Sequence, residues 1–377
     1  MTRRPTRRRL LAYVAALPLA AACAPAAPPT NTPAAVKPTA PATVIPPAPS
    51  PAASQAPGPV STPAAPAGSP AAAPAAGGIQ KVTLILDWFP NTNHSGVYLA
   101  KAKGWYAEEG VDVDLQVPSD PSASMKLVGA AKAELGISYQ PAVEIARAQD
   151  VPLVSVGAIL QHNTAAYAAK QQKNITRPKD FEGKRFGTSG LAQVEPTLRT
   201  VMKCDGADPS KVEMVNIGQK LSPALLADQV DVISMLPAWE GIELELKGNQ
   251  LSYIPQVQFC VPDIYTLVFI AGEQTLQEKP EAVRRFLAAT ARGYEHAVKN
   301  PAEAAAVLLK ASPELDTELV KRSQEVLSTQ YVADAPRFGL QTLDRWKKHA
   351  DWMSENKLIA KPIDVAKAFT NDFLPKP

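Results

Sequence analysis

The chain has 377 residues, 39 of them basic and 36 acidic, for a formal net charge of +3. That balance leaves no surplus of lysine and arginine for a nucleic-acid footprint. Three cysteines are too few for a disulfide-built scaffold, and no CxxC or HExxH spacing marks a metal centre, so neither metal nor cofactor is expected.

The first nine residues carry five arginines, followed by a short apolar run over 10–22 and then Cys23. A basic start, a brief apolar stretch and small residues before a cut predict a signal peptide over 1–22. The run is too short for a membrane span, which needs about 20 apolar residues. Thr6-Arg7-Arg8-Arg9-Leu10-Leu11 resembles a twin-arginine export signal. Leu19-Ala20-Ala21-Ala22-Cys23 resembles a bacterial lipobox, with the leucine one place further from the cysteine than usual. Lipidation at Cys23 would anchor the protein to the outer face of the cell membrane; ordinary cleavage nearby is the alternative. Residues 24–79 hold 16 of the 37 prolines and no acid, and the rest is mostly alanine, serine and threonine. Such a stretch cannot bury a core and favours extended polyproline II, so 23–79 is expected to be a tether. Without residues 1–22 the count is 34 basic against 36 acidic, close to neutral.

The remaining 300 or so residues suit two lobes. In chain order the pattern predicts a strand over 82–86, a helix over 96–109 and a strand over 111–117. A helix over 122–133 follows, with Ser122 as N-cap, then a strand over 134–138, a helix over 141–148 and a strand over 153–160. The theme repeats: strands over 185–188, 212–216 and 230–235 alternate with helices over 194–204, from 224, and over 239–247. Strands at 252–254 and 265–270 come next. Everything after Gln274 reads as helix, broken at Pro280, Pro301 and Pro313. Trp346 and Trp352 fall on a basic amphipathic helix and read as structural rather than ligand-binding. The βαβ alternation predicts an α/β fold with parallel sheets covered by helices. The lobe boundaries are expected at 80–165 with 266–377 for the first lobe, and 166–265 for the second. Cys204 and Cys260 either pair outside the cytoplasm or stay as buried thiols; the reading leans to free thiols.

The stretch Asp87-Trp88-Phe89-Pro90-Asn91-Thr92-Asn93-His94-Ser95-Gly96 follows the first strand. It holds a carboxylate, an indole, two amides and an imidazole where α/β folds place ligands, beyond the carboxyl end of a strand. Trp88 offers a flat π face, and Asp87, Asn91, Asn93 and His94 offer donors and acceptors. The plainer alternative makes Trp88 core and the asparagines turn formers.

This stretch resembles the opening signature of the thiamine-pyrimidine-precursor class of periplasmic binding proteins. So do Tyr98, Ala100-Lys101-Ala102-Lys103-Gly104-Trp105-Tyr106 and Gly110-Val111-Asp112-Val113, and more loosely Gly187-Thr188-Ser189-Gly190 through Glu195-Pro196. The resemblance spans residues 81 to about 375. It implies a type II periplasmic binding protein, two α/β lobes joined by two hinge strands. Such a protein closes on a ligand and delivers it to an ABC permease, acting as a monomer. The class includes binders of formyl-aminopyrimidine and lipoproteins that bind riboflavin. The lipobox, the tether and the Asn-Thr-Asn-His turn favour riboflavin. A eukaryotic enzyme on this fold makes the thiamine pyrimidine from its own histidine; its cysteine-rich motif is missing here, so no enzyme activity is expected. A sulfonate- or nitrate-type site would want a basic cluster, whereas this loop carries an acid. On this resemblance a ring stacks on Trp88, with Tyr98, Tyr139 or Trp239 as further partners. Asp87, Asn91, Asn93 and His94 would read it from one lobe, and Ser189, Gly190 and Glu195 from the other. Trp239 equally suits a core position, Tyr139 a turn, and Glu195 a helix N-terminus.

Overall fold

The computed structural model describes residues 78–120 and 122–376. The predicted signal peptide, Cys23 and the Pro/Ala-rich stretch lie outside the described residues. Ten strands follow in chain order: β1 (Gln80–Ile85), β2 (Val111–Gln116), β3 (Leu135–Ser138), β4 (Leu153–Ala158), β5 (Ala166–Lys170), β6 (Arg185–Thr188), β7 (Glu213–Asn216), β8 (Val232–Met235), β9 (Leu251–Pro255) and β10 (Val268–Gly272). They form two five-stranded sheets, ordered β2-β1-β3-β10-β4 and β7-β6-β8-β5-β9. The chain passes from the first sheet to the second between β4 and β5, and returns between β9 and β10.

Neither sheet is fully parallel, contrary to the expectation from the alternating pattern. β10 runs antiparallel to β3 and β4, and β5 runs antiparallel to β8 and β9. Both are the strands that arrive directly from the other lobe. The helical crossover that keeps neighbours parallel on one sheet does not act on them. β5 also escapes the sequence pattern: Ala166-Tyr167-Ala168-Ala169-Lys170 carries no β-branched residue, yet four of its residues are buried.

The helix expected over 96–109 is two helices, Ser95–Ala102 and Trp105–Glu108, because Gly104 turns the chain at φ +75°. Ser122 precedes the helix Ala123–Gly129, but its hydroxyl donates to Asp120 and caps nothing. The breaks expected at Pro280 and Pro301 are present, and each proline begins the next helix, Pro280–Lys299 and Pro301–Ala311, where a missing N–H costs nothing. Cys204 and Cys260 are joined in a disulfide, with Cα atoms 6.1 Å apart. The lean towards free thiols is thus corrected: the fold brings the end of the helix Val194–Cys204 beside the loop after β9, within bridging range.

The long helix Pro280–Lys299 lies against Ser95–Ala102 so closely that a Cβ at Gly293 would sit 2.0 Å from the Gly96 carbonyl oxygen. The helix Leu343–Glu355 serves both lobes. Trp346 packs with Ile85, Leu153 and Ile270 of the first, while Trp352 and Met353 join Tyr167, Phe181 and Phe186 of the second. Arg345 on this helix holds both crossings. It donates to the Gln161 carbonyl in one, pairs with Asp263 in the other at 3.3 Å, and lies over the Tyr265 ring.

Candidate functional site

The carboxyl ends of β1, β3, β6 and β8 point into one cleft, which the two crossings floor. Asp87, Trp88 and Tyr139 line it from the first lobe; Ser189, Leu236 and Glu240 line it from the second. Its volume of about 180 Å³ is more than ten times the roughly 10–15 Å³ that one water needs, so it accommodates an organic molecule.

Asp87 leaves the end of β1 and is buried. Its Oδ1 lies 2.8 Å from His94 Nε2, and its Oδ2 accepts the Tyr139 hydroxyl proton at 2.9 Å. The Asn91 N–H donates to His94 Nδ1, so the imidazole proton sits on Nε2 and is given to Asp87. Asn91 caps the short turn Thr92–His94: its Oδ1 accepts the Asn93 N–H at 2.9 Å and its Nδ2 donates to the Phe89 carbonyl. The turn is bolted down from behind, where Tyr294 and Tyr331 donate to the Asn93 and Thr92 carbonyls. Asn91, Asn93 and His94 are therefore buried beneath the cleft and do not line it. They fix the position of Asp87 and, with it, Trp88.

Trp88 is half-buried, with its ring centroid 3.9 Å from that of Phe89. Tyr98 packs behind it in an apolar cluster with Trp239, Leu308 and Leu319, outside the cleft lining. Trp239, almost fully buried, lines a second hollow that adjoins the first and shares Trp88, Gln219, Leu221 and Glu240 with it. Gly190 adopts φ +82° in the loop after β6, next to the cleft-lining Ser189. Glu195 is exposed and pairs with Arg199 one helical turn on, at 2.7 Å; it does not reach the cleft.

Sequence reading passed over several lining residues. Glu240 follows β8 on a single π-turn, Pro237–Gly241, a distortion common at functional sites. Burial pushes its carboxyl up to about 7, and the charges of Glu243 and Asp87 add to that, against hydrogen bonds from its own and the Leu236 N–H. Burial raises the Tyr139 hydroxyl well above its ordinary value, and the Asp87 charge adds to this, so the phenol keeps its proton. Asn163, Tyr167 and Thr266 rise from the crossings and β5, and His349 comes from the helix Leu343–Glu355. The one sequence signal for Glu240 was a Pro-x-Trp-Glu-Gly run directly after a strand.

No lysine or arginine lines the cleft among the described residues. Nor do those residues contain a cluster of three or more His, Cys, Asp or Glu arranged to hold a metal ion. The cleft's chemistry is one stacking face, the Asp87 carboxyl group, a second carboxyl that changes state near neutrality, and further polar donors and acceptors.

The profile of the NMT1/THI5-like family matches residues 91–304. The formylaminopyrimidine-binding protein of Halalkalibacterium halodurans is 31% identical over 301 residues, covering 78% of this chain and 90% of its own length. The riboflavin-binding protein RibY of Chloroflexus aurantiacus is 27% identical over 312 residues, covering 79% of this chain and 87% of its own. A 4-amino-5-hydroxymethyl-2-methylpyrimidine phosphate synthase of Legionella pneumophila is 29% identical over 306 residues, covering 78% and 92%. Among solved structures, the alkanesulfonate-binding protein SsuA of Xanthomonas axonopodis superposes with a TM-score of 0.63 at 14% identity, over 78% of this chain and 99% of that one. With its two mixed sheets and the cleft between them, the chain has the periplasmic solute-binding fold, and it belongs to the NMT1/THI5-like family.

Proposed function

We propose that this protein captures a flat nitrogen heterocycle outside the cytoplasmic membrane and passes it unchanged to an ABC permease. In this reading it works as a monomer anchored by a lipid on Cys23. Of the two vitamin-related ligands, an aminopyrimidine of the formylaminopyrimidine kind fits the cleft better. The observation that carries this is the pairing of Asp87 and Glu240 on opposite walls beside Trp88, with no cation lining the space. An aminopyrimidine presents an amine beside a basic ring nitrogen. A carboxyl balanced near neutrality can share its proton with that nitrogen while accepting from the amine, which gives paired charge-assisted hydrogen bonds. The fold's sulfonate binders would need positive charge here, and the lining offers none.

Binding rather than catalysis is supported by His94. Both of its ring nitrogens are engaged and the side chain is fully buried beneath the cleft, out of reach of a cofactor or substrate. Riboflavin is the second reading. The adjoining hollow beside Trp239 gives a larger ligand somewhere to extend, and the similarity to RibY points the same way.

Calorimetric titration of the purified protein with formylaminopyrimidine and with riboflavin tests the proposal. One-to-one binding of the pyrimidine, recovered unchanged, with His94 intact by mass spectrometry, is the expected result. Tighter binding of riboflavin moves the assignment to the second reading. Turnover, or loss of His94, defeats the binding role.

A further inference from the structure

We propose that the floor of the cleft reads an amide: Asn163 and Tyr167 donate to a carbonyl oxygen of the ligand, and His349 accepts from the adjoining N–H. The inference rests on the reading above, that the ligand is a flat nitrogen heterocycle, and adds a group that the ligand must carry.

Three side chains of the same cavity carry it. The Asn163 amide is oriented by its Oδ1, which accepts the Ala165 N–H at 3.0 Å. Its Nδ2 is buried and has no hydrogen-bond partner. Tyr167 is 1% exposed, and its hydroxyl likewise is buried and unpartnered. Phe181 and Phe186 hold its ring edge-on, with centroids 5.5 and 5.7 Å away, so the hydroxyl cannot swing to find a partner. His349 is 1% exposed, and its Nδ1 lies 2.6 Å from Glu144 Oε2. Glu144 is fixed in turn by Gln140, whose amide oxygen accepts the Tyr265 N–H of the second crossing. A carboxylate only accepts, so Nδ1 carries a proton, and in the neutral imidazole Nε2 then presents its lone pair, with no partner among the described residues.

Buried polar groups left unpaired are costly, and a fold keeps them where something else completes them. Two donors and one acceptor together are the complement of an N–H/C=O unit, whose oxygen takes two hydrogen bonds and whose nitrogen gives one. These three groups complement the carboxyl groups of Asp87 and Glu240, which line the same cleft. The ligand class is thus a ring that carries both an amine edge and a formamide, lactam or imide.

The test titrates the wild type, Asn163→Ala and Tyr167→Phe with formylaminopyrimidine and with the same aminopyrimidine lacking the formyl group, and melts each protein without ligand. The wild type should bind the formyl compound at least about tenfold more tightly. Each variant should weaken that compound about three- to tenfold, the worth of one neutral hydrogen bond, with the loss confined to it. Tyr167→Phe should melt no lower than the wild type, because its hydroxyl has no partner to lose. Equal wild-type affinity for the two compounds overturns the inference. So does a loss shared by both compounds, or a Tyr167→Phe protein that melts lower with its affinity unchanged. If the wild type binds neither compound but takes riboflavin, the aminopyrimidine reading has failed on its own. The variants are then titrated with riboflavin, whose ring holds an N–H between two carbonyls, and unchanged affinity overturns the inference.

Discussion

Burial holds the Glu240 carboxyl at about 7 rather than 4.5, so the folded protein favours its neutral form. The stability that follows is fully present below about pH 4.5 and is lost as pH rises through about 7, amounting to about 3 kcal/mol for this side chain. Glu240→Gln should therefore match the wild type in denaturant midpoint at pH 4.5 and exceed it at pH 8. Equal midpoints at both values would remove the argument. The same group shapes binding. An uncharged aminopyrimidine that shares one proton with Glu240 should bind less tightly as pH rises above about 7, and Glu240→Gln should flatten that dependence. Trp88→Ala should cost about 2 kcal/mol of affinity, roughly thirtyfold in Kd, with the circular dichroism spectrum unaltered. Undiminished capture by that variant would rule out stacking on the indole. Asp87 and Trp88 were legible because they directly follow a recognisable strand. Glu240, Asn163, Tyr167 and His349 were not, because what distinguishes them is burial beside residues distant in the chain. In the sequence, Glu240 looks the same as the half-buried Glu243 and the exposed Glu245 that follow it on the same helical stretch.

The elements differ in how openly the sequence declares them. β6 and the helix Val194–Cys204 match their predicted ranges because apolar runs and turn residues agree there. β5 stayed hidden in alanines whose strand character comes from their neighbours β8 and β9. The junction of Ser95–Ala102 with Pro280–Lys299 is a contact between two glycines, which no periodicity reveals. Gly293→Ala would press a methyl group onto the Gly96 carbonyl, a backbone atom with nowhere to go. That substitution should destabilise the protein by about 3 kcal/mol. It should also weaken ligand binding, because the displaced helix carries the turn that positions Asp87. Thermal melting and calorimetry would check both, and a fully stable variant would contradict the close approach. The Cys204–Cys260 bond closes a separation of 56 residues inside the second lobe. Replacing both cysteines by serine should cost about 2–4 kcal/mol, read as a lower urea midpoint.

At the scale of the whole molecule, the two lobes meet on both sides of the cleft. Trp239 and Ile242 pack on Ala305, Leu308 and Leu319 across one side, and the helix Leu343–Glu355 bridges the other. A ligand held by both walls should stabilise them together. At a hundred times its Kd it adds about 2.7 kcal/mol, and hydrogen exchange should slow at Trp88 and at Ser189 in parallel. Protection at only one of them would mean that only one wall binds.

The strand order also bears on synthesis. β10 lies between β3 and β4, so the first sheet waits for residues more than a hundred positions further along the chain. All five strands of the second sheet are made before β10 leaves the ribosome. The half of the protein encoded in the middle should thus pair its backbone first, while β3 and β4 stand with open edges that invite aggregation. Released chains ending at residue 265 should show amide protection in β5 to β9 and almost none in β4.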